Sequence, residues 1–427
     1  MIIIPSFYIT FISIVAILFA FLGFAKGIKN PAAMASSAIT LIPFQMDCPF
    51  IGALKVNELA IIMWVLIFVL CAINQREVYV SKISKSYLSY LFLLLIFSLL
   101  NYLSVNNVET LVEYFRLFIT ILFPLTMTML FGYQLKDNLN EMFIAWNTGA
   151  TLVSLVSLIY IPLAGYSLSE FFRQYFITKT RYFYELKFAS SPCIADPNSY
   201  AGYLAISLII TFYLFQTYKK KRYILTIALE LLGLITSLSR GVILALIVVA
   251  LIYCVVNKVT RWLCIFLIPA GTAVFVLYFI PYVRGDGSAT SRFGLWATAI
   301  NMFRQNPIFG VGLQNYTYFF NDYRSSSVTI DTPFTHNLYL KVLVETGAIG
   351  EIIFLYMCIS SIVRGFKLKN IDNSCLVFAL SILTFMIQGL SVEFFTSYFF
   401  WFVLVVGGVY TFMAQQDPEI SDLWGQT

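Results

Sequence analysis

The chain of 427 residues is 60% hydrophobic and only 11% charged, with a mean hydropathy of +0.84. Because about a quarter of the residues in soluble domains are charged, these values exclude a soluble protein and indicate a polytopic integral membrane protein. We attribute the net charge of +6 mainly to basic loops that set membrane orientation, and we expect no nucleic-acid binding.

Apolar stretches of about 20 residues, the length that crosses a bilayer, recur about twelve times. This pattern predicts an all-α fold that forms one integral-membrane domain over residues 1–427. The predicted spans are 3–24, 56–73, 87–104, 111–132, 141–164, 198–217, 222–238, 240–257, 260–281, 338–363, 373–390 and 395–413. The first is expected to be retained, because it lacks a basic n-region and a cleavage site. The piece from Pro31 to Phe44 is too short to cross and predicts an interfacial or re-entrant segment.

Basic residues cluster in four short loops, and such loops favour the cytoplasmic side. The clusters are Arg76, Lys82 and Lys85; Lys219, Lys220, Lys221 and Arg222; Lys258 and Arg261; and Arg364, Lys367 and Lys369. With twelve spans, all four loops and both termini fall on this side. The long connections 165–197 and 282–337 are therefore predicted on the outer side.

The seven cysteines show no metal-ligand spacing. Cys48 and Cys193 fall in predicted outer loops, where an oxidising compartment permits a disulfide. The remaining five lie in predicted spans or at their edges, where a cysteine usually behaves as a small hydrophobe. They are Cys71, Cys254, Cys264, Cys358 and Cys375.

A small set of ionisable residues lies in or near predicted spans, where a charge is costly and usually functional. The set is Arg116, Glu230, Arg240, Arg292, His336, Glu345 and Glu393. Arg116 lies about one turn into its span, so it either pairs with a carboxylate or assists anion binding. Glu230, near the middle of the membrane, is expected to make a structural hydrogen bond.

The sequence "ADPNSYAG" opens the span that follows the first long loop. Asp196 as N-cap and Pro197 in the first turn are typical of a helix start. The alternative interpretation is that Asp196 or Asn198 contacts a sugar or an acceptor.

Arg240 lies in a Ser-Arg-Gly turn between two spans, where Gly241 can adopt a backbone conformation that other residues avoid. An interfacial arginine that extends toward the headgroups is one interpretation. Its place on the outer side, which disfavours basic residues, instead favours an anion-binding role.

The stretch "SRFGLWATAINMFRQNPIFGVG" predicts an amphipathic helix that lies on the membrane. With Ser291 as N-cap, Arg292 would lie in the first turn, where the helix dipole and unpaired N–H groups favour an anion such as phosphate. Arg304, near the other end, is expected to stabilise the helix. The following Gly310 and Gly312 predict a turn, and a phosphate-binding loop is the weaker alternative.

His336 is the only histidine in the chain, at the predicted start of a long apolar helix capped by Thr335 or Asp331. Helical spacing would place it on one face with Tyr339 and Gly347. A lone histidine is often structural, but this is the one side chain here with an ordinary pKa near neutrality. We therefore expect a general base or acid.

These segments together resemble the bacterial O-antigen polymerase and O-antigen ligase superfamily. The resemblance rests on "DPNSYA" at Asp196, "SRG" at Arg240, the "SRFGLWATAINMFRQNPIFGVG" helix from Ser291 and "THNLYLKVLVETGAIG" from Thr335. The last two are the most specific, and the similarity covers about Asp196 to Gly350.

The resemblance implies a glycosyltransferase at the periplasmic face of the bacterial inner membrane that needs no metal or other cofactor. Its donor would be a glycan linked to undecaprenyl pyrophosphate. Arg240 and Arg292 would bind the donor pyrophosphate, and His336 would accept the proton of the acceptor hydroxyl. Our hypothesis for substrate binding names Arg116, Asp196, Asn198, Asn337 and Tyr339.

The motifs leave the acceptor open. A polymerase would transfer the glycan onto a lipid-linked repeat unit, and a ligase onto the lipid A core. We favour the polymerase, with membrane lipids and a chain-length regulator as further candidate partners. A transporter is a less favoured alternative, because it would place charges along a path through the membrane. A noncatalytic scaffold gives no reason for the arginines and histidine.

Overall fold

A computed structural model describes residues 3–49, 51–74, 77–174, 181–257, 269, 271, 273, 287–328 and 333–416. Helices dominate these residues, and the strands among them form one short hairpin. Seven of the described helical stretches are long and apolar enough to cross a membrane. The all-α, multi-pass membrane fold predicted from composition is therefore confirmed.

Every predicted span within the described residues coincides with a helix. The helices are α1 (Ile3–Gly27), α2 (Pro31–Leu41), α3 (Val56–Ile73), α4 (Lys82–Val105), α5 (Val108–Phe131), α6 (Leu135–Leu163), α7 (Leu168–Gln174), α8 (Arg181–Ala189), α9 (Pro197–Tyr218), α10 (Arg222–Thr236), α11 (Arg240–Val256), α12 (Gly287–Gln305), α13 (Asn315–Tyr318), α14 (Leu338–Leu368), α15 (Asn373–Gln388) and α16 (Tyr398–Gln416). A lipid-exposed segment has to satisfy its backbone polar groups internally, which an α-helix does.

Some predicted features lie outside the described residues. They are the span 260–281, the loop residues Arg76, Lys258 and Arg261, the cysteine Cys264 and the candidate cap Asp331. The short segment that starts at Pro31 forms the 11-residue helix α2, which agrees with the prediction that it is too short to cross.

The first polar connection also contains a small hairpin. Strands β1 (Asp47–Cys48) and β2 (Ile51–Lys55) pair antiparallel, with Asp47 opposite Lys55. Cys48 and Cys193 are free, buried cysteines, so the disulfide considered from the sequence is not formed. Burial raises the pKa of both thiols, which keeps them protonated near neutral pH.

The chain forms two compact units. The first unit comprises Met1–Val80 and Phe123–Val242, and the second comprises Ser81–Leu122 and Ile243–Thr427. The predicted site residues Asp196, Asn198 and Arg240 belong to the first unit. The second unit holds the others, including His336.

The first unit is held by polar contacts between apolar helices. The Trp146 indole in α6 donates a hydrogen bond to the Ser207 hydroxyl in α9 at 2.8 Å. The Thr211 hydroxyl donates to the buried Glu230 carboxylate in α10 at 3.0 Å, so the structural hydrogen bond predicted for Glu230 is confirmed. Such contacts join helices where lipid gives little hydrophobic drive for association.

The second unit packs α14, α15 and α16 through aromatic side chains. Phe354 of α14 contacts Phe400 and Trp401 of α16, with ring centroids 5.8 Å and 6.2 Å away. The Tyr87 hydroxyl of α4 donates to the Leu404 carbonyl at 2.9 Å. These contacts anchor the helix that follows His336.

Both predicted outer loops contain helices. The connection 165–197 forms α7 and α8, and the connection 282–337 forms α12 and α13. In α12, Leu295, Ala299 and Met302 pack into a buried core of the second unit. Helix α14 and the segment after α12 cover this apolar face of the predicted amphipathic helix, and its placement on the membrane stays a prediction.

Candidate functional site

The predicted site in the second unit is built around the turn that precedes α14. His336 is half-buried, and its φ of 48° places it in the left-handed region. Asn337 follows as the N-cap, and its side-chain oxygen accepts a hydrogen bond from the Leu340 N–H at 3.1 Å. We define residues 335–337 as the histidine turn.

Two predictions about the histidine turn are wrong. Helix α14 begins at Leu338, so the helical spacing used to assign a face to His336 does not apply to it. The cap is Asn337 and not Thr335. A left-handed residue before the cap redirects the chain, and residue periodicity does not reveal such a turn.

A carboxylate far away in sequence holds the histidine turn. Oε1 of Glu393 accepts a hydrogen bond from the His336 N–H at 2.8 Å and another from the Thr335 hydroxyl at 2.6 Å. The Glu393 side chain is only 17% exposed, so these bonds lie largely away from water. The sequence singled out Glu393 as an ionisable residue, but no spacing rule connects it to His336.

A buried ion cluster stands beside this carboxylate. The Lys341 ammonium lies 2.7 Å from Oε1 of Glu345 and 4.0 Å from Oε2 of Glu393. Buried charges require such compensation, because leaving water is costly for each of them. Lys341 was not among the residues predicted from the sequence, although its four-residue spacing to Glu345 is typical of a helical ion pair.

Tyr316 in α13 lies close enough to the same carboxylates to feel their negative charge. Burial raises the pKa of its hydroxyl, and the charges of Glu393 and Glu345 raise it further. The hydroxyl therefore stays protonated and donates to the Leu295 carbonyl of α12 at 3.2 Å. This bond ties α13 to α12.

Asn337 and Tyr339 are committed to structural hydrogen bonds. The Asn337 amide nitrogen donates to the Leu390 carbonyl at 3.4 Å, and the Tyr339 hydroxyl donates to the Met386 carbonyl at 2.6 Å. Both bonds attach the start of α14 to the end of α15 and the residues after it. Substrate contact by these two residues stays a prediction.

Helix α14 is interrupted at Gly347, with a φ of 69° and a ψ of −176°. The segment 307–312, which follows α12, packs into this interruption. A Cβ added at Gly347 would lie 2.2 Å from the Ile308 carbonyl oxygen. Only glycine combines this backbone conformation with so close an approach. Gly347 was predicted to share a helix face with His336. Because the helix is interrupted at Gly347 and begins only after His336, the two residues do not share such a face.

The glycine-rich turn after α12 supplies the hydrogen bonds that the interruption removes from α14. The Val311 N–H donates to the Val344 carbonyl at 2.9 Å, and the Gly312 N–H donates to the Glu345 carbonyl at 3.0 Å. Because these N–H groups are already used, the structure supports the turn predicted from the glycines and not the phosphate-binding loop.

Helix α12 meets the histidine turn through Trp296. Its indole donates a hydrogen bond to the Thr335 carbonyl at 3.0 Å, directly before His336. Arg292 is half-buried and lies four residues before Trp296, a spacing that places both on one helix face. This face of α12 is the one that contacts the histidine turn.

The predicted helix start at Ser291 is wrong, because α12 begins at Gly287. Arg292 is therefore past the first turn, where the backbone N–H groups bond within the helix and do not add to an anion site. Its place one turn before Trp296 is the structural reason to keep it as a candidate. Arg304, in the last turn of the helix, has the position predicted for a helix-stabilising cation.

Arg116 is the most exposed of the candidates. Its guanidinium lies 3.4 Å from the Glu113 carboxylate, one turn earlier in α5, and its side chain is 62% exposed. The carboxylate pairing considered from the sequence is thus present. Anion binding by Arg116 stays a prediction.

In the first unit, Arg240 is the first residue of α11. Its guanidinium carbon lies 5.9 Å from the centroid of the Phe183 ring in α8, a cation–π distance. Gly241 is helical, and the left-handed residue of this turn is Leu238, with a φ of 52°. The flexibility predicted for Gly241 is therefore not used.

Asn198 joins three elements next to Arg240. Its side-chain oxygen accepts hydrogen bonds from the Lys187 ammonium at 2.7 Å and from the Ser239 hydroxyl at 3.1 Å. Asp196 caps α9 as predicted, accepting from the Ser199 N–H at 3.0 Å. The first unit therefore brings Asp196, Asn198 and the start of α11 together. Lys187 joins them, although it was not predicted as a site residue.

Within the described part of the chain, no group of three or more His, Cys, Asp or Glu side chains is placed to hold a metal ion. The Glu345 and Glu393 carboxylates of the second unit lie 2.7 Å and 4.0 Å from the Lys341 ammonium.

Fold and site together define a multi-pass α-helical membrane protein in which a histidine with a left-handed backbone is bonded to a half-buried carboxylate. Residues 225–355 match the family model described as O-antigen ligase. This segment contains Arg240, Arg292 and His336, and no curated protein matches the sequence. The match confirms the predicted resemblance to the O-antigen ligase and polymerase superfamily over this segment. The family indicates a glycosyltransferase-like enzyme.

Proposed function

We propose that the protein polymerises O-antigen or a related surface polysaccharide. In this reaction, a glycan linked to undecaprenyl pyrophosphate is transferred to a hydroxyl of a second lipid-linked repeat unit. The reaction takes place at the periplasmic face of the inner membrane, where the predicted orientation puts the connection 282–337. Both termini would then be cytoplasmic.

The observation that carries this proposal is the fixed histidine turn inside the matched family segment. Catalysis by a general base requires a side chain held within hydrogen-bond reach of the reacting hydroxyl. Histidine is the side-chain type whose unperturbed pKa lies near neutrality, and the His336 N–H is bonded to Glu393. Leu238, the comparable left-handed residue before α11, is buried in an apolar cluster, whereas His336 is half-buried and its N–H is bonded to the Glu393 carboxylate.

His336 would act on the acceptor. Its neutral imidazole accepts the proton of the attacking sugar hydroxyl as the oxygen bonds to the anomeric carbon of the donor. The bond from that carbon to the pyrophosphate oxygen breaks, and undecaprenyl pyrophosphate leaves. The imidazolium then releases its proton to solvent or to the leaving group.

The arginines would act on the donor. Negative charge grows on the pyrophosphate during transfer, and a guanidinium stabilises it through charge-assisted hydrogen bonds. Arg292 suits this role because it shares a face of α12 with Trp296, which contacts the histidine turn. The same role for Arg240 follows from the family resemblance and stays a prediction, as does the independence from metals.

Ligation to the lipid A core is the second candidate function. The description of the matching family model favours it, and the donor chemistry would be the same. The two reactions differ only in the acceptor hydroxyl. Their products differ in size distribution, since a polymerase lengthens its own product.

A transfer assay tests the proposal. The purified protein receives an undecaprenyl-pyrophosphate-linked repeat unit from the strain that carries the gene, without lipid A core, and product sizes are followed on a gel. We expect a ladder that falls by about 100-fold or more in His336→Ala and Arg292→Ala. Arg304→Ala is the matched control, because it removes an exposed arginine from the same helix.

Each outcome of the assay has a different meaning. Transfer that occurs once, and only after core acceptor is added, identifies a ligase. A full ladder from His336→Ala contradicts the role of His336 as base. A folded wild-type protein that transfers nothing under either condition contradicts the proposed function and favours the transporter.

A further inference from the structure

We propose that Glu393 is a positioning residue that fixes the direction of the His336 imidazole through the backbone of the histidine turn. This inference rests on the proposed role of His336 as base. Glu393 contacts the main chain of His336 and a hydroxyl beside it. It therefore acts through His336 and not on the substrate.

The backbone of His336 requires such support. A φ of 48° is uncommon for a residue with a Cβ, because the side chain crowds its own carbonyl oxygen in this region. The N–H bond to Glu393 at 2.8 Å and the Thr335 bond at 2.6 Å both end on the same carboxylate oxygen. Hydrogen bonds to a carboxylate are stronger than those between neutral groups.

The peptide that carries Glu393 also holds the other end of the turn. The Leu338 N–H donates to the Gly389 carbonyl at 2.7 Å, and the Asn337 amide donates to the Leu390 carbonyl at 3.4 Å. The segment 389–393 thus contacts the turn on both sides of His336. These contacts leave the backbone little freedom to rotate His336 into an ordinary conformation.

Lys341 completes the support from the other side of the carboxylate. Oε1 of Glu393 serves the turn, while Oε2 lies 4.0 Å from the Lys341 ammonium. The same ammonium contacts Glu345 at 2.7 Å. Because Lys341 lies in the first turns of α14, it links the carboxylate to the helix that the histidine turn starts.

The consequence for catalysis follows from geometry. The direction of a Cα–Cβ bond depends on φ and ψ, so a change of the His336 backbone moves the imidazole by several ångströms. A displacement of about 1 Å can reduce a rate by about 100-fold. Fixing the backbone therefore fixes the distance between the base and the acceptor hydroxyl.

The single histidine of the chain allows a direct test. Protein labelled with ¹⁵N-histidine gives one backbone amide signal, which reports the bond from His336 to Glu393. We expect exchange of this amide with solvent to be about tenfold faster or more in Glu393→Ala than in wild type. Glu393→Gln keeps an oxygen acceptor and should fall between the two.

The matched control is Glu351→Gln, which removes a buried carboxylate beyond the interruption of α14. It should leave the His336 amide unchanged. In the transfer assay, kcat should fall about tenfold in Glu393→Gln and about 100-fold in Glu393→Ala, with little change in KM. A purely structural loss would lower the amount of folded enzyme and not produce this order.

An unchanged His336 amide in folded Glu393→Gln and Glu393→Ala would overturn the inference. So would a fall in kcat without any change in that amide. If Glu393→Ala does not fold, Glu393→Gln together with Thr335→Val provides the same comparison. If the amide responds as expected but wild-type protein transfers nothing, the proposed function fails while the contact between Glu393 and His336 stands.

Discussion

The turns before α11 and α14 both contain a non-glycine residue with a left-handed backbone, and different contacts hold each of them. Each has a left-handed residue with a side chain two positions before the first helical residue, Leu238 in the first unit and His336 in the second. Leu238 is buried among apolar side chains of α6, α7 and α8. His336 is half-buried and its N–H bonds to a carboxylate.

The difference shows what each turn can present to a ligand. Apolar packing holds Leu238 by enclosing its side chain, so that side chain cannot contact a ligand. A hydrogen bond to the backbone holds His336 without enclosing the imidazole. A strained residue with a chemical role therefore needs support through its main chain, and Glu393 provides that support.

The largest loss of stability should come from removing Lys341 from the ion cluster beside the histidine turn. Lys341→Met leaves Glu345 buried without its closest partner, and we expect a loss of about 3–5 kcal/mol in the free energy of unfolding. Unfolding in mixed micelles by titration with SDS measures it. Lys367→Met, in the exposed last turn of the same helix, is the control. Equal stability of both variants would show that the ion cluster contributes nothing.

Removing the apolar side chain that holds the turn before α11 should cost somewhat less stability. Leu238→Ala removes a buried side chain and opens a cavity, which we expect to cost about 2–4 kcal/mol. Leu225→Ala, on the exposed side of α10, is the control in the same unfolding titration. A loss in Leu238→Ala no larger than in the control would mean that packing does not hold this turn.

The smallest effect separates strain from chemistry at His336. Glycine adopts positive φ without crowding, so His336→Gly should be about 1 kcal/mol more stable than His336→Ala. Both should lack transfer activity, since neither has an imidazole. If the alanine variant is the more stable one, the left-handed backbone of this residue carries no strain.

Hydrophobic length and short motifs were enough to predict the helices and the family resemblance. Hydrophobic length fixes where a chain crosses lipid, and α3 spans Val56–Ile73 as predicted. Local chemistry fixed the cap of α9 at Asp196, because capping depends only on neighbouring residues. The order of the arginine and histidine motifs indicated the superfamily that the match to residues 225–355 confirms.

The support of His336 depends on tertiary contacts that no local pattern predicts. Its carboxylate partner is 57 residues away in sequence, and the interruption of α14 at Gly347 is filled by residues 307–312. Both arrangements depend on segments that meet through packing, and neither leaves a periodic pattern. Helical spacing therefore put His336 inside a helix, whereas hydrogen bonds from a distant segment place it in a left-handed turn before that helix begins.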